Sequence, residues 1–164
     1  FKVWVFDVFN LPYSDSSVDE VKADAFIEHL SFKQEPLFLY EVLRVLKPNG
    51  VFEFSVPDFE AICKLWLEAQ DEWQGFYVEA NAGVPQSSWF GVAGYDFSQR
   101  WGYLMTSFFG TQNGAGQFHK NGYSQLKLEK MMRYLGFEVT HISRFAWNGN
   151  RDPMLRCVAR KKTV

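Results

Sequence analysis

Leu39, Val42, Leu43 and Leu46 recur at i, i+3, i+4 and i+7, the spacing that lines one face of a helix with apolar side chains. The pattern predicts a helix over 35–46. Pro36 suits its opening turn, where a missing N–H costs nothing, and Pro48 and Gly50 end it. Directly after this stop, residues 51–56 are apolar except for Glu53. Such a run predicts an interior strand covered on both faces, as in parallel sheets. Asp58 stands where a helix cap is needed, with Glu60 in the favourable first turn and Phe59, Ile62 and Trp66 on the inner face.

Upstream, residues 2–9 read KVWVFDVF, a β-branched and aromatic strand with Asp7 near its end. Residues 10–18 supply Asn, Pro, Asp and Ser, a loop. Residues 19–25 predict a short strand, and 26–34 a connector that opens with a helical turn. Towards the other end, Leu128, Met131, Met132 and Leu135 restore helical spacing over 124–135, with Ser124 as cap and Gly136 as terminator. Strands at 137–144 and 153–160 finish the chain, and the FAWNGN linker makes them an antiparallel pair. Between these regions, residues 71–123 show no period and interleave glycines with Trp, Tyr and Phe. A connection this long inside a compact domain reads as a lid-like insertion. Its aromatic residues either pack into a satellite core or line a substrate-binding lid.

At 164 residues the chain suffices for one domain, 1–164. An 18% aromatic content, with 17 Phe and 6 Trp, suits a sizeable core and also a pocket for a flat or greasy ligand. A net charge of −2 provides no electrostatic ground for a nucleic-acid partner. The basic residues Arg156, Arg160, Lys161 and Lys162 read as a solvated terminal strand and tail. No apolar run exceeds strand length, so no membrane partner is expected, and the start lacks the pattern of a signal peptide. Cys63 and Cys157 stand alone, with no CxxC spacing and no His clustered near either. No metal site is therefore expected, and both thiols read as small buried hydrophobes in a reducing, cytoplasmic setting. The chain opens on Phe1 and runs straight into a strand, which fits a piece from the middle of a longer protein.

Four pieces stand in a telling order: Asp7-Val8-Phe9-Asn10-Leu11-Pro12-Tyr13-Ser14-Asp15-Ser16-Ser17-Val18-Asp19, then Glu28-His29-Leu30, then Arg44 to Gly50 (RVLKPNG), then FHKNGY at 118–123 ahead of a helix and GFEV. In this succession the chain resembles the class I S-adenosylmethionine-dependent methyltransferases, most nearly the type 11-like small-molecule group. The resemblance implies an α/β fold: a truncated Rossmann-like sheet of about five strands, the last two antiparallel, with helices on its faces and an aromatic-rich insertion. In the family's own order, 3-2-1-4-5-7-6, this chain would supply the third to seventh strands. The family's first strand, its Gly-rich loop and the acidic residue that holds the cofactor ribose have no counterpart here. Glycines in that loop let backbone amides approach the cofactor closely. The GTQNGAG run at 110–116 neither follows a strong strand nor opens a helix at once, so it is no substitute.

The resemblance also assigns candidate site residues. Asp7 would lie beside the adenine of S-adenosylmethionine, its carboxylate accepting from the exocyclic amine, with the amides of Val8 and Phe9 meeting ring nitrogens. Asp7 as a local cap of its own loop is the plainer reading. Asp24 and Ala25 would border the methionine moiety, at the carboxyl edge where open α/β sheets place ligands. His29 is the first candidate for a general base, because imidazole is the side chain suited to proton transfer near neutral pH. The alternative is that it only orients the connector, and Glu28 beside it could orient the ring. His119, ahead of Lys120, would contact substrate or close over the site; otherwise it anchors the insertion. His141 is expected to be exposed on a strand.

Two functions compete. One is the carboxy-terminal part of an S-adenosylmethionine-dependent methyltransferase acting on a small molecule or a sugar or lipid precursor, where catalysis is mostly alignment. The other is a noncatalytic binding or oligomerisation module of the same ancestry, the reading favoured for this chain by itself because the cofactor loop is missing. A sheet without its central strands also exposes an edge at 19–25, a pairing liability. Either strand 2–9 or a second copy of the chain, giving a homodimer, is expected there.

Overall fold

The sheet has the order β1-β2-β4-β3. In a computed structural model that describes residues 7–68, 100–112, 114–147 and 152–163, β1 (Val18–Asp24) leads through a 3-10 turn (Ile27–His29) and α1 (Gln34–Val45) into β2 (Leu46–Pro57). Then come α2 (Phe59–Glu68), α3 (Arg100–Phe109), α4 (Gln125–Tyr134), β3 (Phe137–Trp147) and β4 (Asp152–Lys161). β1 and β2 are parallel, whereas β4 runs antiparallel to both β2 and β3. This is the α/β arrangement expected, with the last two strands antiparallel.

Four strands are described, against about five expected. Residues 2–6 of the strand foreseen at 2–9 lie outside the described residues, and residues 7–9 turn instead. Asp7 Oδ1 accepts the Phe9 amide at 2.9 Å and the Asp7 carbonyl accepts the Asn10 amide at 3.0 Å, which bends the backbone away from a ladder. Among the described residues β1 pairs with β2 alone.

The foreseen helix at 35–46 is α1, which starts one residue earlier and places Pro36 in its first turn. After it Leu46 pairs with Val18, and the register then jumps so that Glu20 meets Val51. The residues between accommodate the Pro-Asn-Gly turn, with Asn49 at φ +64°. From Val51 on, pairing is regular. β2 is fully buried on one face only, a correction to the expectation of burial on both. Phe52, Phe54 and Val56 are wholly covered, with Phe38 of α1 and Phe137 of β3 packed against Phe52 at ring distances of 6.2 and 6.0 Å. Leu39 and Val42 of α1 and Leu128 and Met132 of α4 join the same cluster. The opposite face carries Glu53, half-buried between Lys22 and Arg156, each 3.6 Å away on a neighbouring strand. A charge with two partners tolerates a position that an apolar run suggested would be dry.

Arg44 explains why two of the sequence pieces travel together. Its guanidinium binds Glu41 at 2.6 Å, Asp15 at 2.7 Å and the carbonyls of Tyr13 and Leu11 at 2.9 and 3.1 Å, while the Leu11 amide donates to Glu41. The RVLKPNG piece thus clamps the LPYSD loop onto α1. The basic cluster at the end is likewise engaged: Lys161 Nζ reaches the Leu46 carbonyl at 2.8 Å, and Arg160 the Asn49 carbonyl at 3.0 Å. Burial pushes the Cys157 thiol up to about 12, as expected of an inert core cysteine.

Part of the stretch 71–123 is helical, which corrects its reading as aperiodic throughout. In α3, Leu104 and Phe108 lie one turn apart and pack on Ile62, Leu65 and Trp66 of α2, so these members of the insertion do form a satellite core. Residues 71–99 fall outside the described residues. Among the described residues no helix is long and apolar enough to cross a membrane.

Both expected caps are present. Ser124 Oγ accepts the Lys127 amide at 3.2 Å, and Gly136, at φ +97°, closes α4. Asp58 is wholly buried; Oδ1 accepts the Ala61 amide at 3.1 Å and Oδ2 takes Arg144 Nε at 2.8 Å. The Asp58→Ala variant should lose about 2 kcal/mol, combining a lost cap with a lost charge-assisted bond. Arg144 is more than half exposed, so its attraction adds little. A urea melt unchanged from wild type would refute this estimate.

Candidate functional site

At the carboxyl end of β1 the chain leaves the sheet abruptly. Ala25 has φ +46°, a left-handed conformation that costs a side-chain-bearing residue about 1–2 kcal/mol. The conformation is held in place from β2: the Ala25 amide donates to the Ser55 carbonyl at 3.0 Å, and Ser55 Oγ donates to Asp24 Oδ1 at 2.7 Å. Ile27 and Leu30 then anchor the 3-10 turn in the core. Glu28 and His29 are thereby fixed just beyond the strand end.

A second segment lies across this turn. The Glu28 carbonyl accepts the amides of Lys120 and Asn121 at 2.7 and 3.2 Å. His29 Nδ1 donates to the Phe118 carbonyl at 3.1 Å, His119 Nδ1 donates to the Ser107 carbonyl at 2.9 Å, and the His119 amide reaches the Phe109 carbonyl at 3.0 Å. The two imidazoles meet edge to face with centroids 4.9 Å apart. Because carbonyl oxygens only accept, each Nδ1 carries a hydrogen, which makes Nε2 the accepting atom whenever the ring is neutral. Burial lowers the pKa of His119; the Ser107 carbonyl opposes this and the neighbouring His29 adds to it. His119 is therefore held as a neutral base.

Glu28 is only 1% exposed. Burial raises its carboxyl to about 7, and Oε2 has no hydrogen-bond partner among the described residues. Glu28, His29 and His119 each offer one ligand atom, all within 4.8 Å of one another. Two imidazoles and a carboxylate form a donor set suited to a divalent cation.

The crossing segment is secured by a polar network. Glu35, buried in the first turn of α1, accepts a short hydrogen bond from the Tyr123 hydroxyl and another from Asn121 Nδ2 at 2.9 Å. Lys127 Nζ donates to Asn121 Oδ1 at 2.6 Å and to the Gly122 carbonyl at 3.0 Å, and lies 3.7 Å from Glu35. Burial, reinforced by Glu35, keeps the Tyr123 hydroxyl protonated far above its ordinary range. Desolvation lowers the pKa of Lys127, with Glu35 acting in the opposite sense.

The fold thus brings His29 and His119 together. Asp24 and Ala25 stand at the strand end that launches this turn. Asp7 is exposed and caps its own loop, while Val8 and Phe9 pack half-buried against the main core. Sequence reasoning missed Glu35, Tyr123 and Lys127 as the frame of the site and gave Glu28 only an orienting part. His141 is exposed on β3, as expected.

The methyltransferase domain family matches residues 1–54. No curated protein matches the sequence. Among solved structures, the chain is similar to a 1,6-didemethyltoxoflavin-N1-methyltransferase of Burkholderia thailandensis, solved with 1,6-didemethyltoxoflavin and S-adenosylhomocysteine. The TM-score is 0.57 at 14% identity, covering 95% of this chain and 48% of that one. It is also similar to a SAM-dependent methyltransferase of Methanosarcina mazei, with a TM-score of 0.60 at 16% identity over 98% of this chain and 67% of that one. A protein of Pyrococcus horikoshii has a TM-score of 0.53 at 18% identity, over 97% of this chain and 58% of that one. The chain spans about half to two thirds of the length of these relatives in fold.

Proposed function

For a chain that carries the class I S-adenosylmethionine-dependent methyltransferase fold and matches the methyltransferase domain family over residues 1–54, we propose that the protein to which it belongs methylates a small molecule, a sugar or lipid precursor among the candidates. The observation that carries this reading is the placement of His29 and His119, each with Nδ1 donating to a backbone carbonyl, beside the strained exit of β1 at Asp24–Ala25. Open α/β sheets bind ligands at such strand ends.

The residues present fit one flank of the cofactor. Asp7 offers an exposed carboxylate for the adenine. The Phe9 amide is committed to Asp7 Oδ1, so in this reading the ring contacts fall to Asp7 and the Val8 amide. Asp24 and Ala25 would border the methionine portion. The opposite flank, the Gly-rich loop, has no counterpart in this sequence. S-adenosylmethionine, when bound, supplies a methyl group on a sulfonium that needs only an aligned nucleophile. One of His29 and His119 would accept at Nε2 the proton that a substrate hydroxyl or amine releases, and burial lowers the pKa of His119 in the sense that suits this task. The missing loop favours a noncatalytic role for this chain alone, and methyl transfer by the 164 residues in isolation would refute that second reading.

Calorimetric titration of the protein with its upstream segment restored should give heat with S-adenosylhomocysteine that saturates at one equivalent. The His29→Ala variant should retain that affinity while losing methyl transfer. No heat of binding overturns the proposal, and undiminished turnover in the variant removes His29 from it.

A further inference from the structure

We propose that Glu28, His29 and His119 form a binding site for one divalent transition-metal ion of the zinc class, which would engage the same Nε2 atoms offered above as proton acceptors, so the two roles belong to different states of the protein. Four observations converge. The three side chains can place one ligand atom each within 4.8 Å of the others. Both Nδ1 atoms donate to backbone carbonyls, of Phe118 and Ser107. That arrangement fixes ring and tautomer in ligand histidines and leaves Nε2 for the ion. Glu28 Oε2 is buried without a partner among the described residues, and such an orphan oxygen calls for an ion or a water. Finally, the Glu28 carbonyl holds the amides of Lys120 and Asn121, so the backbone that bears His119 is tied to the one that bears Glu28 and His29.

The chemistry narrows the ion. Two imidazoles and one carboxylate suit zinc and its neighbours, whereas magnesium and calcium prefer all-oxygen shells. Ligands about 2.1 Å from a tetrahedral centre lie roughly 3.4 Å apart. The trio must therefore contract slightly, which the half-buried imidazoles permit. Three protein ligands leave a fourth position for water or for a substrate heteroatom.

The full chain, stripped with chelator and titrated with Co²⁺ alone, should develop visible d–d absorption saturating at one equivalent and bleached by Zn²⁺. The His119→Gln and Glu28→Gln variants should each weaken binding by about 100-fold or more, at least as much as losing an outer-shell partner costs. The chain has three histidines, so His141→Gln, on the exposed strand, is the matched control and should change nothing. X-ray absorption of the Zn²⁺-loaded wild type requires no variant to fold, and should show nitrogen and oxygen neighbours only. Absence of the cobalt spectrum, sulfur in the zinc shell, or a His119→Gln variant that binds as wild type would each overturn the site. No methyl donor enters these measurements, so their failure leaves the methyltransferase reading standing, and the converse holds.

Discussion

The Glu35→Ala variant is expected to lose about 3 kcal/mol of stability. Removing one member of a fully buried charged pair costs about 3–5 kcal/mol because the partners are left unsatisfied, and Lys127, more than a third exposed, adds little to that here. Here the loss stays at the low end because each partner keeps a second contact. The Tyr123 hydroxyl can turn its one hydrogen to the Ile27 carbonyl, 3.3 Å away, and Lys127 retains Asn121 and Gly122. Asn121 Nδ2 loses its acceptor. The Glu35→Gln variant keeps an acceptor oxygen and should lose about half as much. Urea denaturation monitored by tryptophan fluorescence measures both. An alanine variant within about 0.5 kcal/mol of wild type, the range of an ordinary surface change, would show that the network does not hold the 118–123 segment.

Gly110→Ala should be at least as damaging, about 3 kcal/mol or more. Gly110 sits at φ +77°, and an added Cβ would lie 1.9 Å from the Gln117 carbonyl oxygen and 2.9 Å from the His119 amide. The left-handed conformation alone costs about 1–2 kcal/mol. The clash is with backbone, so no rotamer relieves it, and the His119–Phe109 bond must give way as well. Hydrogen exchange at the Lys120 and Asn121 amides is the sharpest readout, because both lose protection if the segment lifts from Glu28. Wild-type protection in Gly110→Ala would mean that the loop accommodates the methyl group elsewhere.

Much of the framework was legible because it rests on local rules. The stripe from Leu39 to Leu46 located α1 to within a residue, Ser124 and Gly136 bounded α4, and the last two strands paired as their linker implied. The site was legible only in outline. His29 and His119 could be named singly, yet nothing in their spacing said that the rings meet. Glu28 follows Ile27, two positions before Leu30, and a carboxylate between such anchors is ordinarily outward; here it is buried at a turn over which the Lys120 and Asn121 backbone is laid. Glu35 looked like an ordinary acidic first-turn residue, favourable to the helix dipole, because its partners come from the far end of the chain. α3 was missed because Leu104 and Phe108, inward-facing among its described residues, stand among many other aromatic residues that mask the period.

The bond between His29 and the Phe118 carbonyl joins positions 89 apart in the chain. At about 5–20 residues per second, a ribosome that has just made His29 needs about 4–18 seconds to deliver its acceptor. Throughout that interval the nascent polypeptide displays Ile27, Glu28 and Leu30 with no cover from above. The closing step is a long-range one of the kind that slows folding, and the pairing of β2 with β4, whose residues are made later still, is another.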